Sequence, residues 1–325
     1  MKEFEHLNAN SLNEALLFLE DENAMIIAGG TDLLTAMKNN VLSPSRLVNV
    51  KTVPDLRYIN YNNDQVLRIG ALTTLDQIEK DEIIQKSFGI LAQASGSVAT
   101  PQIRNVGTIG GNLCQKPRCW YYRNPNFQCL RKGGKACFAV RGENRYNAII
   151  GGGPCFMVHP SDTAIALIAL DAKVKILGTD SEKVIPLEEF FVSPRVSHTK
   201  ENVLKSSELI AEIQIPDQSP CSRGIYLKET ERKTWDFAIV SVAFQADFDG
   251  DVVKDARIVI GGVSPTPFRA KDAEILLKGN IIDNHLSEAV SGSAVSKSKP
   301  LNGNSYKVSL ARSLIKRALT TVNNK

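Results

Sequence analysis

Five of the six cysteines in this 325-residue chain, Cys114, Cys119, Cys129, Cys137 and Cys155, fall within 42 consecutive residues, and only Cys221 stands apart. The segment that carries them, about residues 115–157, shows little helical or strand periodicity. A metal knot, a disulfide knot and a nucleic-acid finger are the three ways to use such a stretch. The opening "MKEFEHLNAN" has no apolar stretch, so no signal peptide is expected. No apolar run approaches the ~20 residues of a membrane span. The expectation is therefore a cytoplasmic chain, with export beside a signal-bearing partner to the periplasm as the alternative. A reducing compartment favours metal over disulfides. Net charge is only +4, from 39 basic and 35 acidic residues, which does not argue for nucleic acid. Hydrophobic residues make up 43%, enough for proper cores.

Around this segment the pattern is regular. "SLNEALLFLED" opens with Ser11 and Glu14 at capping-box spacing, and Leu12, Ala15, Leu16 and Leu19 form a helical stripe. "AMIIAGGTDLLTAM" predicts a strand, a Gly-Gly turn and a helix entered at Thr31-Asp32. "RLVNV" and "QVLRIGALTT" predict strands, "TLDQIEKDE" a capped helix, and 88–99 a small-residue helix. Residues 100–112 predict a loop. After the cysteine segment, "HPSDTAIALIALDAKVKIL" predicts a helix capped by Ser161 and then a strand, and "ELIAEIQIP" a further strand. "GIYLKE" and "AIVSVAFQADFDGDVVKDARIVIGGV", with its Asp249-Gly250 turn, predict antiparallel strands. Three amphipathic helices near 269–278, 284–296 and 305–321 finish the chain.

Three short elements carry candidate chemistry. "AGGTDLL" (28–34) puts two glycines between a strand and a helix, where backbone N–H groups can approach a phosphate. It lacks the G-x-G-x-x-G spacing of the Rossmann fingerprint. "TIGGN" (108–112) offers a second glycine loop, and "HPSDTA" puts Asp162 at a helix start, where a carboxylate can accept from ribose or ribityl hydroxyls. Taken singly, each is explained as well by an ordinary turn or cap.

In order, "AGGTDLL", "ATPQIRNVGTIGGNL", "HPSDTAIALIALDA" and "YLKETERKTWDFAIVSVA" resemble the FAD-binding medium subunit of the molybdenum hydroxylases, the xanthine dehydrogenase and carbon monoxide dehydrogenase family. The resemblance spans essentially the whole chain. It implies an α+β protein: a two-lobed α/β FAD domain over 1–216 (lobes 1–60 and 61–216, with an insertion at 115–157), a break near 217–223, and a small α+β domain over 223–325. It implies that Ile26, Ile27, Ala28, Gly29, Gly30, Thr31, Asp32 and Leu33 line the pyrophosphate and adenine side. Val98 then lies near the flavin, and Thr108, Ile109, Gly110, Gly111 and Asn112 form a second cradle. Asp162 binds a cofactor hydroxyl and Ile210 packs on the ring system. Lys228 sits by the isoalloxazine, where a cation stabilises the reduced anion.

Most members of that family run from the "GGN" loop to the following helix in about ten residues; about fifty separate Asn112 from Asp162 here. Structural zinc is the serious rival for the extra cysteines, but zinc ribbons use C-x₂-C pairs and none exists. The gaps among Cys119, Cys129, Cys137 and Cys155 are nine, seven and seventeen residues, which suits a [4Fe–4S] cluster held by four thiolates. Lys116, Arg118, Arg123, Arg131, Lys132 and Lys135 lie among them with no acid before Glu143, an expected positive setting that would raise the reduction potential. The words "RCWYYR", "CLRKGG", "GENRYNAI" and "HPSD" resemble the iron–sulfur insertion of bacterial aldehyde oxidoreductase FAD subunits. That resemblance makes those four cysteines the ligands and leaves out Cys114 and Cys221.

The implied role is an electron-transfer subunit with FAD and one cluster. Its partners are a molybdopterin-containing large subunit and a [2Fe–2S] small subunit, in a heterotrimer or a dimer of heterotrimers, with aldehyde as substrate. A subunit of a 4-hydroxybenzoyl-CoA reductase-like or xanthine dehydrogenase-like complex is the alternative within the family. A zinc-stapled nucleic-acid binder leaves the glycine loops unexplained, and a stand-alone flavoenzyme leaves the cysteines unexplained.

Overall fold

A computed structural model describes residues 1–62, 64–233 and 235–323. The first lobe is a parallel sheet of β1 (Glu5–Asn8), β2 (Ala24–Ile27) and β3 (Arg46–Asn49) in the order β1-β3-β2. Helices Leu12–Phe18 and Leu33–Lys38 make the crossovers. At the first of these, the Ser11 hydroxyl accepts from the Glu14 N–H at 3.1 Å, while the Glu14 carboxylate reaches the Asn10 N–H instead, at 2.6 Å.

The second lobe is an antiparallel sheet of β4 (Ile59–Tyr61), β5 (Val66–Gly70), β6 (Lys173–Gly178), β7 (Ser181–Pro186) and β8 (Leu209–Pro216), ordered β4-β5-β8-β6-β7. The register between β6 and β8 slips at Lys175/Ile176, leaving Ala211 as the extra residue. A bulge reverses which face each residue presents. Leu209 and Ala211 therefore join the core under the first lobe, while Ile210, Ile213 and Ile215 face the second core. Helices Leu75–Lys80, Glu82–Ser87, Gly89–Gly96 and Asp162–Ala169 supply much of that core.

The C-terminal region is an antiparallel sheet of β9 (Ser222–Glu229), β10 (Val240–Asp249), β11 (Val252–Gly261) and β12 (Phe268–Arg269), ordered β12-β11-β10-β9. Helices Lys271–Leu277, Asn284–Val295 and Tyr306–Asn323 cover one face. The strand period of two sends Val242, Phe244, Ile258 and Ile260 to those helices and Tyr226, Ala243 and Val259 to the second-lobe core. Every residue of helix Asp162–Ala169 is buried, with Tyr226, Ala243 and Val259 of the C-terminal sheet in the same core.

Residues 100–112 depart from the expected loop. Thr100 caps a turn of helix Pro101–Arg104, with Pro101 at its favoured first position, and Thr108 caps helix Ile109–Cys114 through Gly111 N–H. The cysteine insertion contains one short helix, Trp120–Arg123, and two single 3₁₀ turns.

Candidate functional site

The two glycine loops meet at the junction of the lobes. Gly30 has φ +71°, a left-handed conformation that favours glycine. A Cβ on Gly29 would lie 2.1 Å from the Val106 carbonyl oxygen, so the turn packs backbone to backbone against the approach to "TIGGN". Among the described residues, the backbone N–H groups of Gly29, Gly30, Thr31 and Asp32 donate to no protein acceptor. Successive unpaired N–H groups form an anion nest, which is what a pyrophosphate needs. The second loop is different in kind. Ile109 donates to Thr73, Gly110 to Ala71, Gly111 to the Thr108 hydroxyl and Asn112 to the Thr108 carbonyl. The backbone donors of Ile109 to Asn112 are therefore spent inside the protein.

Asn112 does something else. Its Oδ1 accepts from Ser161 Oγ at 2.5 Å and from Thr163 Oγ1 at 2.7 Å, tying the two ends of the insertion together. Next to it, Asp162 is paired. Lys228 Nζ donates to its Oδ2 at 2.7 Å and to the Ser97 carbonyl at 3.0 Å, and the Tyr226 hydroxyl donates to its Oδ1 at 2.7 Å. Burial, then the Asp162 charge, raises the Tyr226 pKa well above its ordinary value, so Tyr226 stays a donor. Two carboxylate oxygens offer about four acceptor positions, so Asp162 keeps room for a further hydroxyl. Val98 is half-buried beside the same core, and Ile210 is buried within it. Ile26 and Ala28 border the first-lobe core, while Ile27 and Leu33 belong to a small cluster under the turn.

All six cysteines are free thiols. Cys129 and Cys155 are buried, and Cys119 and Cys137 half-buried. Cys155 donates to Cys137, which pulls the Cys137 thiol down to about 6 and pushes Cys155 up. Backbone N–H groups point at three of the sulfurs: Tyr121 and Tyr122 at Cys119; Ala139, Val140 and Phe156 at Cys137; Met157 at Cys155. The Asn147 amide adds a contact to Cys119 Sγ at 3.8 Å. Among the described residues no three Cys, His, Asp or Glu side chains converge as around a single metal ion.

Four of the six basic residues of the insertion are tied to two distant acids. Arg118, Arg123 and the Lys116 N–H converge on Asp32, at 2.9, 2.6 and 2.7 Å. Arg131 and the Lys116 ammonium hold the buried Glu201, at 2.6 and 2.5 Å. Burial opposes the Glu201 charge, but these two cations hold its pKa below the ordinary value. Lys132 is tied to the Asn124 carbonyl at 2.6 Å. Two acids about 70–90 residues away in sequence thus meet four of the six basic side chains, which a local count does not show, and an excess of positive charge remains.

A cleft of about 340 Å³ runs from Cys119 to Asp162, between the insertion and the strands of the C-terminal sheet. Arg118, Tyr146, His159 and Phe237 are among its walls, and neither glycine loop lines it. His159 is buried and pushed down to about 4 by that burial. Its Nδ1 accepts from the Ser161 N–H, so the neutral ring carries its hydrogen on Nε2, which has no partner among the described residues. Tyr226, Glu201, Asn147 and His159 are thus site neighbours absent from the sequence reading. Tyr226, Asn147 and His159 stood inside the quoted words "GIYLKE", "GENRYNAI" and "HPSD", and Glu201 stood in none.

Comparison with known proteins places this geometry. Residues 2–218 match the FAD binding domain in molybdopterin dehydrogenase, and residues 225–322 the CO dehydrogenase flavoprotein C-terminal domain. The aldehyde oxidoreductase FAD-binding subunit PaoB of Escherichia coli is 32% identical over 316 residues, 96% of each chain. The carbon monoxide dehydrogenase medium chain of Hydrogenophaga pseudoflava is 27% identical over 97% of this chain and 96% of its own. A solved carbon monoxide dehydrogenase structure from that organism aligns with TM-score 0.79 at 25% identity, over 99% of this chain and 97% of the other. An open N–H nest at the junction of two lobes, a buried Asp162–Lys228 pair and this two-part match together give one conclusion: the chain belongs to the FAD-binding medium subunits of the molybdenum hydroxylases.

Proposed function

We propose that this chain is the electron-transfer subunit of an aldehyde-oxidising molybdenum hydroxylase, carrying FAD and one [4Fe–4S] cluster. Electrons come from the molybdenum and [2Fe–2S] centres of its two partner subunits and leave to an external acceptor. The observation that carries the reading is that one cleft is lined by both Asp162 and Cys119. When bound, FAD supplies two-electron storage that can be emptied one or two electrons at a time.

The chain's own residues then have distinct tasks. Gly29, Gly30, Thr31 and Asp32 aim their N–H groups at the pyrophosphate, with Ile26, Ile27, Ala28 and Leu33 as the apolar wall behind them. Thr108, Ile109, Gly110, Gly111 and Asn112 are the proposed second cradle, following the Val106–Gly107 backbone that packs against that turn. Asp162 accepts a cofactor hydroxyl and holds Lys228 near the ring, beside Val98 and Ile210. Cys119, Cys129, Cys137 and Cys155 are the proposed cluster ligands. Backbone donors aimed at sulfur support this, because a thiolate needs them and a neutral thiol does not. The aldehyde substrate rests on the name of the Escherichia coli relative. Free cysteines suit the cytosol. Among the described residues no helix is long and apolar enough to cross a membrane.

The test is anaerobic purification of the chain alone and together with its two neighbouring subunits. Flavin bands with a broad iron–sulfur absorption, and aldehyde turnover only in the assembled complex, are the expected result. Comparable turnover by the isolated, flavin-loaded chain overturns the relay. Flavin without iron overturns the cluster.

A further inference from the structure

Asp32 stands at the position where an aspartate normally caps a helix, yet it makes no side-chain cap to helix Leu33–Lys38. Its carboxylate turns outward from the nest and takes three donors instead. Lys116 N–H donates to Oδ2 at 2.7 Å, Arg123 Nη2 donates to Oδ1 at 2.6 Å, and Arg118 Nη1 lies 2.9 Å from Oδ1. All three donors flank Cys119: three residues before it, one before it and four after it. Arg123 also closes the short helix behind that cysteine, its N–H donating to the Cys119 carbonyl at 2.9 Å, and its Nε donates to the Pro117 carbonyl at 2.7 Å. Arg118 also donates to Gln115 Oε1 at 3.2 Å and Arg123 to the Lys116 carbonyl at 2.9 Å, but among the described residues Arg118 Nε and Arg123 Nη1 are buried without partners, and Asp32 is the carboxylate that both guanidiniums share.

We infer that Asp32 is a positioning residue that couples the two cofactor regions, so that occupancy of the cysteine insertion strengthens FAD binding and FAD strengthens retention of iron. This rests on the reading above. The backbone N–H of Asp32 belongs to the nest, and its carboxylate fixes where Cys119 stands. Ordering either end restricts the other through one residue, and linkage makes the effect reciprocal. The Asp32 side chain is thereby assigned to the insertion, while its main chain serves the nucleotide.

The experiment is a titration of the deflavinated full-length chain with FAD, followed by flavin fluorescence, in iron-loaded and iron-free forms. Wild type should bind FAD about tenfold more tightly when iron-loaded, within the usual range of coupling factors. In Asp32→Asn, which keeps the size and the backbone donor, the two affinities should agree within about twofold, and iron should leave to a chelator about tenfold faster. Asp32→Glu should recover part of the ratio. If Asp32→Asn does not accumulate, Arg123→Gln goes through the same titration with the same expectation. Equal FAD affinity in the two wild-type forms, or a ratio unchanged in the variants, overturns the coupling alone. A chain that takes up FAD but never iron overturns the coupling and the cluster together.

Discussion

The turn at Gly29–Asp32 presents four unpaired backbone N–H groups, whereas residues 115–148, besides their own local backbone hydrogen bonds, are anchored to distant parts of the protein through side chains. No residue of that stretch belongs to any of the four hydrophobic cores. Its fixed points are the acids Asp32 and Glu201, an aromatic triangle of Tyr121, Phe127 and Phe138 with centroids 5.1–5.9 Å apart, and sulfur. A backbone site is secured by packing around it and tolerates no added atoms. A side-chain site tolerates irregular backbone but depends on each anchor separately. The two regions should therefore fail in different ways.

The largest effect should come from sulfur. Cys119→Ser, Cys129→Ser, Cys137→Ser and Cys155→Ser should each drop iron from about four atoms per chain to near zero. Cys221→Ser and Cys114→Ser should keep it. Iron analysis decides: loss in Cys114→Ser with retention in one of the four breaks the assignment.

Next comes the turn. Gly29→Val places a side chain against the Val106 carbonyl, where even Cβ would sit at 2.1 Å. Flavin content should fall by at least about tenfold, while the insertion keeps its iron better than it does in any of the four serine variants. Flavin measured after acid release tests this, and near-normal content would show that the backbone site has slack.

The smallest effect concerns the tail of the insertion. Lys307 is fully buried and donates to the carbonyls of Tyr146, Asn147 and Gly262, and burial pushes its pKa down to about 7. An unfolded lysine titrates near 10.4. Between those values the unfolded chain binds more protons than the folded one, so stability rises with pH. Relative to Lys307→Met, the wild type should gain about 1 kcal/mol from pH 7 to pH 9, less than a full proton gives because the carbonyls favour the ammonium. Urea unfolding at the two pH values measures it, and parallel curves remove the effect.

Local signals in the sequence carried the regular elements. Thr74 and Gln77 form the expected capped start, Ser161 caps its helix through Ala164 N–H, and Asp249-Gly250 turns between the long C-terminal strands. The helices at 101–104 and 109–114 were not legible because small and β-branched residues there look like loop. Two threonine caps and packing against Ala71 and Thr73 decide the matter. Glycine and cysteine positions could be read as candidates from spacing and resemblance. What surrounds them could not: Asp162 meets Lys228 66 residues away, Asp32 meets Arg123 91 residues away, and Glu201 meets Arg131 70 residues away. Such pairings are created by topology, which puts the nucleotide turn, the insertion and β9 on one side of the second lobe.

The Asn112 amide, gripping Ser161 and Thr163, has a meaning for the history of the chain. A loop whose two ends are already stapled can be lengthened cheaply, since each doubling of its length adds only about 0.6 kcal/mol of closure entropy. The staple makes this a graft point. A short turn and a sulfur-bearing module fit the same base.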